Sequence, residues 1–275
     1  MKTVVSLLIV FLFISCFPKA QNKTLSIRLK GSDTMYILGE MWAAEYMKKN
    51  PDVAVYVEGG GSGTGFEAMI NNQADICLAS RLINHQEAKL LAEKQKSVGM
   101  LFLAAKDALS VYVNYNNPVQ DLSIHQLRDI FLGKIINWQE VGGNDELIEV
   151  VIRPPTSGTH GYFKKVVLAG QNFDSSAVTI ETTAEIARYV AANPSAIGFG
   201  GLAYGPSVKH IKIEGTAPIE ENVHNESYLL TRYLYVYTAH VPENHIKEFI
   251  NWLLSPDGQK VVVRVGYIPI WPITQ

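Results

Sequence analysis

Gly59-Gly60-Gly61-Ser62-Gly63-Thr64-Gly65 is the stretch that decides the fold. Before it, Val53–Glu58 is a short run rich in valine that reads as a strand. After it, residues 63–72 read as a short helix. A strand feeding a helix through a glycine-rich loop is the unit from which α/β sheets are built. The design occurs twice more. Gly31-Ser32-Asp33-Thr34 follows a strand at 25–30 and opens a helix over 33–50, which has Leu38, Met41, Trp42 and Tyr46 on one face and ends at Asn50-Pro51. Thr156-Ser157-Gly158-Thr159 follows a strand at 148–153 and opens another helix.

The pattern extends outward in both directions. Residues 75–79 read as a buried strand, and Asn84 caps a helix over 85–94. Residues 108–114 form a strand, Ser123 caps a helix over Ile124–Phe131, and a helix over 182–192 stops at Asn193-Pro194. Residues 197–199 form a brief strand and 229–238 a tyrosine-rich one. Helices over 243–254 and 257–265 are separated by Ser255-Pro256. Such alternation implies βα units around mainly parallel sheets. No repeat or low-complexity linker interrupts it. Two lobes without a linker imply strands that cross between them, giving a hinge and a cleft.

Composition narrows the function. At 275 residues the chain suffices for one large domain or two lobes. Hydrophobic residues at 47 % and charged residues at 18 % exclude a disordered chain. A formal charge of −2 provides no basic surplus for nucleic acid. The histidines and cysteines form no cluster at metal-ligand spacing, so neither metal nor cofactor is expected. Met1-Lys2-Thr3 precedes an apolar run over 4–14, the pattern of a secretory signal. The run falls short of the ~20 residues of a membrane span. Ser15-Cys16 then resembles a lipobox, which predicts removal of 1–15, lipidation of Cys16 and a periplasmic or cell-surface protein held to the membrane only by that lipid. The alternative is ordinary cleavage near Ala20, which Pro18 suits poorly. Cys77 then stands alone and reads as a small buried hydrophobe. Asn22-x-Thr24 and Asn225-x-Ser227 fit the glycosylation pattern, but are incidental in a bacterial lipoprotein.

A helix start carries up to four free N–H groups and about half a positive charge. Glycine admits a ligand to the backbone, and hydroxyls add uncharged donors. Each of the three loops alone reads equally well as a plain N-cap; together they point to an oxyanion. Arg81 follows one apolar strand and Arg153 ends another. Either reads alone as a surface residue. Arg153, however, precedes Ser157 by four residues, which sets a fork of donors beside a helix start.

The chain resembles the phosphate-binding proteins of bacterial phosphate ABC transporters. The matching blocks are Gly-Ser-Asp-Thr-Met at 31–35, Gly-Gly-Gly-Ser-Gly-Thr-Gly at 59–65 and Ala-Ser-Arg at 79–81. Asp-Ile-Phe-Leu-Gly-Lys-Ile-Ile-Asn-Trp at 129–138, Arg-x-x-x-Ser-Gly-Thr at 153–159, Ala-Ile-Gly-Phe at 196–199 and Ser-Pro-Asp-Gly-Gln at 255–259 follow in family order. The resemblance implies an α/β, two-lobed periplasmic-binding-protein fold of class II, with a ligand cleft between lobes joined by crossing strands. Lobe one would be 24–107 plus 236–275, and lobe two 108–235. It implies a monomeric, extracytoplasmic receptor that captures inorganic phosphate and delivers it to ABC permease subunits. Ser32, Thr34 and the backbone of Met35 would donate from the first loop, and Ser62 or Gly63 from the second. Arg153, Ser157, Gly158 and Thr159 would donate from the other lobe, with Arg81 as a further candidate.

This chain departs from the family pattern at Arg81, where the best-described members carry an Asp that accepts the proton of hydrogen phosphate and so rejects sulfate. Asp33 is the nearest replacement acceptor; its other reading is N-cap of the first helix. His160 departs too, standing where arginine is common. Sulfate or another tetrahedral oxyanion, and a sensor without transport, stay open as alternatives. A hydrolase reading would use Ser157 as nucleophile with His160 or His210 as base, but Ser157 lies at a helix start and in no Gly-x-Ser-x-Gly elbow. Tyr228, Tyr233, Tyr235 and Tyr237 read as alternating core and rim rather than as a sugar platform.

Overall fold

The computed structural model describes residues 25–205 and 207–271. The leader at 1–15, Cys16 and Asn22 lie outside the described residues. Three parallel strands begin the fold. β1 (Leu25–Gly31) lies between β2 (Val53–Glu58) and β3 (Ile76–Ala79), with α1 (Tyr36–Lys49) and α2 (Ser62–Ile70) as the crossovers. α3 (His85–Gln95) then leads into β4 (Met100–Val113). A strand of 14 residues spans about 45 Å, long enough to leave one lobe and enter the other.

β5 (Asp121–Leu122), α4 (Ile124–Phe131), β6 (Glu149–Ile152), α5 (Gly158–Val166), β7 (Val178–Thr179), α6 (Thr183–Ala192), β8 (Ala196–Gly201), β9 (Lys209–His210), β10 (Lys212–Ile213) and α7 (Glu220–His224) follow. β11 (Thr231–Thr238) returns the chain, and α8 (Asn244–Leu254) and α9 (Pro256–Val265) close it. The sheet order is β2-β1-β3-β11-β4-β8-β6-β7. Parallel flanks therefore surround an antiparallel centre, because β4 leaves and β11 comes back. The expectation of mainly parallel sheets holds for the flanks alone. The strand read from residue 108 in fact begins at Met100; Lys106-Asp107 looks like a strand boundary, yet both residues lie inside the ladder with β11.

Two main cores result. Ile27, Leu38, Trp42, Tyr46, Phe249 and Val262 form one, and Val111, Phe131, Trp138, Phe163, Phe199 and Tyr228 the other. The helix boundaries follow local chemistry. Asn84, Ser123 and Thr182 each complete a reciprocal capping box, and Ser255 caps α9 with Pro256 in its first turn. Asp33 does not cap the helix it precedes. It sits within a 3-10 turn, Asp33–Met35, whose N-cap position is Ser32 and has no side-chain cap. β11 alternates half-buried and buried residues through Val236, as core-and-rim packing requires. Cys77 is buried, and burial pushes its thiol up.

Gly65 seats α2 against β1. A Cβ there would stand 2.6 Å from Gly31 Cα and from Lys30 O, and 2.9 Å from Cys77 Sγ. Backbone atoms cannot yield as a side-chain end can, so Gly65→Ala should destabilise by about 1–3 kcal/mol. Urea unfolding checks this, and an unchanged midpoint would show that α2 is free to shift.

Candidate functional site

The three glycine-rich loops meet where the lobes face each other. Gly61 N donates to Gly31 O at 2.8 Å, joining the first two loops. Gly63 N donates to Thr156 O at 3.0 Å, joining the second to the third. Gly61 has φ +104, and a Cβ there would fall 2.6 Å from Thr156 O, so only glycine allows this approach. Gly158 lies against Ser62 equally closely, with a Cβ position 2.2 Å from Ser62 Oγ. Ser62 Oγ in turn accepts from Ser80 N at 3.0 Å.

Side chains complete the contact. Thr34 Oγ1 and Thr159 Oγ1 are 2.8 Å apart. Arg153 is 1 % exposed, and its Nη1 donates to Asp33 Oδ2 at 3.1 Å and to Thr183 Oγ1 at 2.7 Å. Asp33 Oδ2 also accepts from Thr183 N at 2.9 Å, so Asp33 caps the start of α6 across the cleft rather than its own helix. Tyr204 and Tyr267 brace the first loop, donating to Asp33 O at 2.7 Å and Thr34 O at 2.5 Å. Ser32 Oγ and Arg153 Nε are buried without a hydrogen-bond partner among the described residues. A hydroxyl and a guanidinium N–H left in this way suit a ligand rich in acceptors.

A family model described as PBP superfamily domain matches residues 18–257. This chain belongs to the PBP superfamily. The phosphate-binding protein PstS of Bacillus subtilis is 34 % identical over 251 residues, covering 89 % of this chain and 81 % of that protein. PstS of Pseudomonas aeruginosa is 30 % identical, covering 92 % and 86 %. Among solved structures, a candidate phosphate ABC transporter substrate-binding protein of Clostridium perfringens with bound phosphate superposes with a TM-score of 0.83 at 30 % identity, covering 90 % of this chain and 100 % of that one. An ABC-type phosphate transport receptor of Vibrio cholerae gives 0.74 at 31 %, with the same coverage. The resemblance read from the motif blocks and the two-lobed fold is thereby borne out.

In this PBP-superfamily protein the other predicted site residues fall in three groups. Ser157 Oγ caps α5, accepting from His160 N at 3.4 Å, and Thr159 is fully buried at the loop contact. Met35 N donates to Ser32 O at 2.9 Å, and Gly63 N is engaged as above, so both amides are bonded within the protein. Arg81 borders the second loop, but its guanidinium forms a two-pronged pair with Glu87 at 2.8 and 2.6 Å over the ring of Phe66. Its charge is therefore met by Glu87.

Ser80, Glu87, Asp107, Thr183, Tyr204, Arg232 and Tyr267 were not singled out from sequence. Asp107 and Arg232 left one signal, an acid and a base each inside a run that is otherwise strand-like. Arg232 donates to Asp107 through Nε and Nη2, and to Thr159 Oγ1 through Nη1 at 3.0 Å. Burial pushes the Asp107 carboxyl up, with Arg232 opposing. Burial likewise pushes the Arg153 guanidinium down, with Asp33 opposing. Among the described residues neither histidine ring is bonded to the Ser157 hydroxyl; His160 reaches it only through its backbone amide. The His210 ring lies between Ser110 Oγ at 2.6 Å and Gly205 O at 2.7 Å.

The His160 ring donates through Nδ1 to Arg153 O at 2.6 Å, fixing the carbonyl beside the third loop. Burial holds its pKa below the ordinary 6.5. Below that pH the unfolded chain takes up the proton before the folded one, so stability falls on acidification. Between pH 7.5 and 5.5, roughly one unit either side of that value, wild type should lose more stability than His160→Gln. Urea midpoints at both pH values provide the comparison, and parallel losses would show that His160 does not contribute.

Proposed function

We propose that this protein captures inorganic phosphate in the cleft between its lobes and hands it to the permease subunits of an ABC importer. The observation that carries this reading is the convergence of three loop-to-helix starts around Arg153, with Ser32 Oγ and Arg153 Nε buried and unpartnered among the described residues. The names of the Bacillus, Pseudomonas and Vibrio relatives support it. In this reading Ser32, Thr34, Ser62, Arg153, Ser157 and Thr159 donate to the anion, joined by the amide of Gly158, while the amides of Met35 and Gly63 hold the loops through Ser32 O and Thr156 O. Arg81 acts from beside Gly63 in the second loop, its guanidinium held by Glu87. Lobe one comprises 24–107 plus 236–275 and lobe two 108–235, with β4 and β11 as the hinge. The protein works as a monomer and as a receptor rather than an enzyme, outside the cytoplasm.

Asp33 is the acidic residue among these loops, and it determines selectivity in this reading. Oδ2 is committed to Arg153 and Thr183. Oδ1, on the side of Gly59, accepts the proton of hydrogen phosphate. Sulfate has no proton to give, so two acceptors would face each other without a bond. Sulfate is the second reading, favoured by Arg81 itself, because a guanidinium only donates and so leaves position 81 without a proton acceptor.

Calorimetric titration with phosphate, sulfate, molybdate and arsenate tests these assignments. Arg153→Ala should weaken phosphate binding by ~2–5 kcal/mol, roughly 30- to several-thousandfold, without unfolding the chain. Asp33→Asn should narrow the gap between phosphate and sulfate. A folded Arg153→Ala with wild-type affinity rejects the cleft as the site. An unchanged ratio in Asp33→Asn moves selectivity elsewhere.

We also assign the membrane attachment to a lipid at Cys16. No helix among the described residues is long and apolar enough to cross a membrane. Cys16→Ser should release the protein into the soluble extracytoplasmic fraction. Wild type found there already, starting downstream of Cys16, would refute the anchor.

A further inference from the structure

Arg232 and Asp107 stand opposite each other on β11 and β4, the strands that carry the chain between the lobes. Their side chains are 1 % and 0 % exposed. Arg232 Nε and Nη2 both donate to Asp107 Oδ2, at 2.9 and 2.8 Å. Asp107 Oδ1 is held by Leu202 N at 3.2 Å. The Tyr162 ring packs 5.7 Å from the guanidinium carbon. With its plane set in this way, the guanidinium has Nη1 left, and that nitrogen points at Thr159 Oγ1, 3.0 Å away. Pairing with Asp107 does not require this third bond, which is aimed into the cleft.

A guanidinium only donates, so the Thr159 hydroxyl must accept in this contact. A hydroxyl has one proton and two lone pairs. With one lone pair committed to Arg232, the proton is available to an acceptor on the cleft side: Thr34 Oγ1 at 2.8 Å, or an oxyanion. Accepting from a charged donor also strengthens the hydroxyl as a donor in its turn. The chain Asp107–Arg232–Thr159–Thr34 thus runs from the crossing strands to both sides of the cleft. We infer that Arg232, oriented by Asp107, is a positioning residue of the anion site, which fixes the Thr159 hydroxyl as a donor to the bound oxyanion. This rests on the reading of the cleft as a phosphate site.

A double-mutant cycle read by calorimetry with inorganic phosphate tests it. Arg232→Lys retains the charge but not the fork that reaches Asp107 and Thr159 together. It should weaken phosphate binding about ten- to a hundredfold. In a Thr159→Val background, where no hydroxyl remains to be oriented, the same change should cost less than about threefold. Urea unfolding in parallel separates affinity from folding, because it shows which variants are folded under the titration conditions. Arg232→Met combined with Asp107→Asn removes both charges and keeps an acceptor for Leu202 N, so it guards against an unpaired buried carboxylate. It should fold and still bind phosphate about tenfold or more weakly. Equal affinity losses in the two Thr159 backgrounds, or wild-type affinity in the neutral double variant, would overturn the inference while leaving the phosphate reading intact. A wild type that binds no phosphate refutes the cleft reading and this inference with it.

Discussion

Arg232 and Asp107 face each other across β11 and β4 with almost no access to water, and the arrangement of both lobes follows from where they stand. Removing one partner of such a pair typically costs ~3–5 kcal/mol, whereas replacing both together is often neutral. Stability alone therefore does not explain its presence. Its location does. The pair occupies the point where the chain passes from one core to the other, beside the helix starts that face the cleft. Leu202 N binds one end of the pair and Thr159 the other, so the crossing strands and the third loop share one orientation.

The cleft around this pair carries two buried arginines, and each is matched by an aspartate: Arg232 by Asp107 and Arg153 by Asp33. The four side chains sum to zero formal charge. In the proposed reading an anion held here would meet directed donors more than net charge: hydroxyls, a helix-start amide and the free edge of Arg153. Such donors are worth more in a dry site than in water, and their geometry is set before the ligand arrives. The whole chain is slightly acidic, so its net charge does not draw an anion in. In that reading recognition would reside in the alignment of dipoles at one place.

Close backbone approach makes that alignment possible. Gly61 brings the second loop against Thr156 O, and Gly158 brings the third against Ser62. Asp33 uses the same proximity to reach Thr183 N, 150 positions away in sequence. A residue that reads locally as the cap of its own helix instead joins two lobes, because the helix start that needs its carboxylate belongs to α6.

What the sequence determined by itself is whatever depends on neighbours a few residues apart. Caps at Asn84 and Ser123, the break at Ser255-Pro256 and the three glycine-rich helix starts are short-range interactions, legible in the order of residues. The motif blocks added the family, and with it the two lobes. Tertiary structure alone decided the rest. Whether Lys106-Asp107 ends a strand or continues it depends on β11 lying alongside, and the partner of Asp107 is 125 residues away. Arg81 turned to Glu87, and Arg153 to Asp33 and Thr183, because a long side chain goes to the carboxylate or hydroxyl that the packed backbone brings within reach. Local sequence states which groups are charged and which can donate. Only the packed chain, by excluding water, decides which of them must find each other.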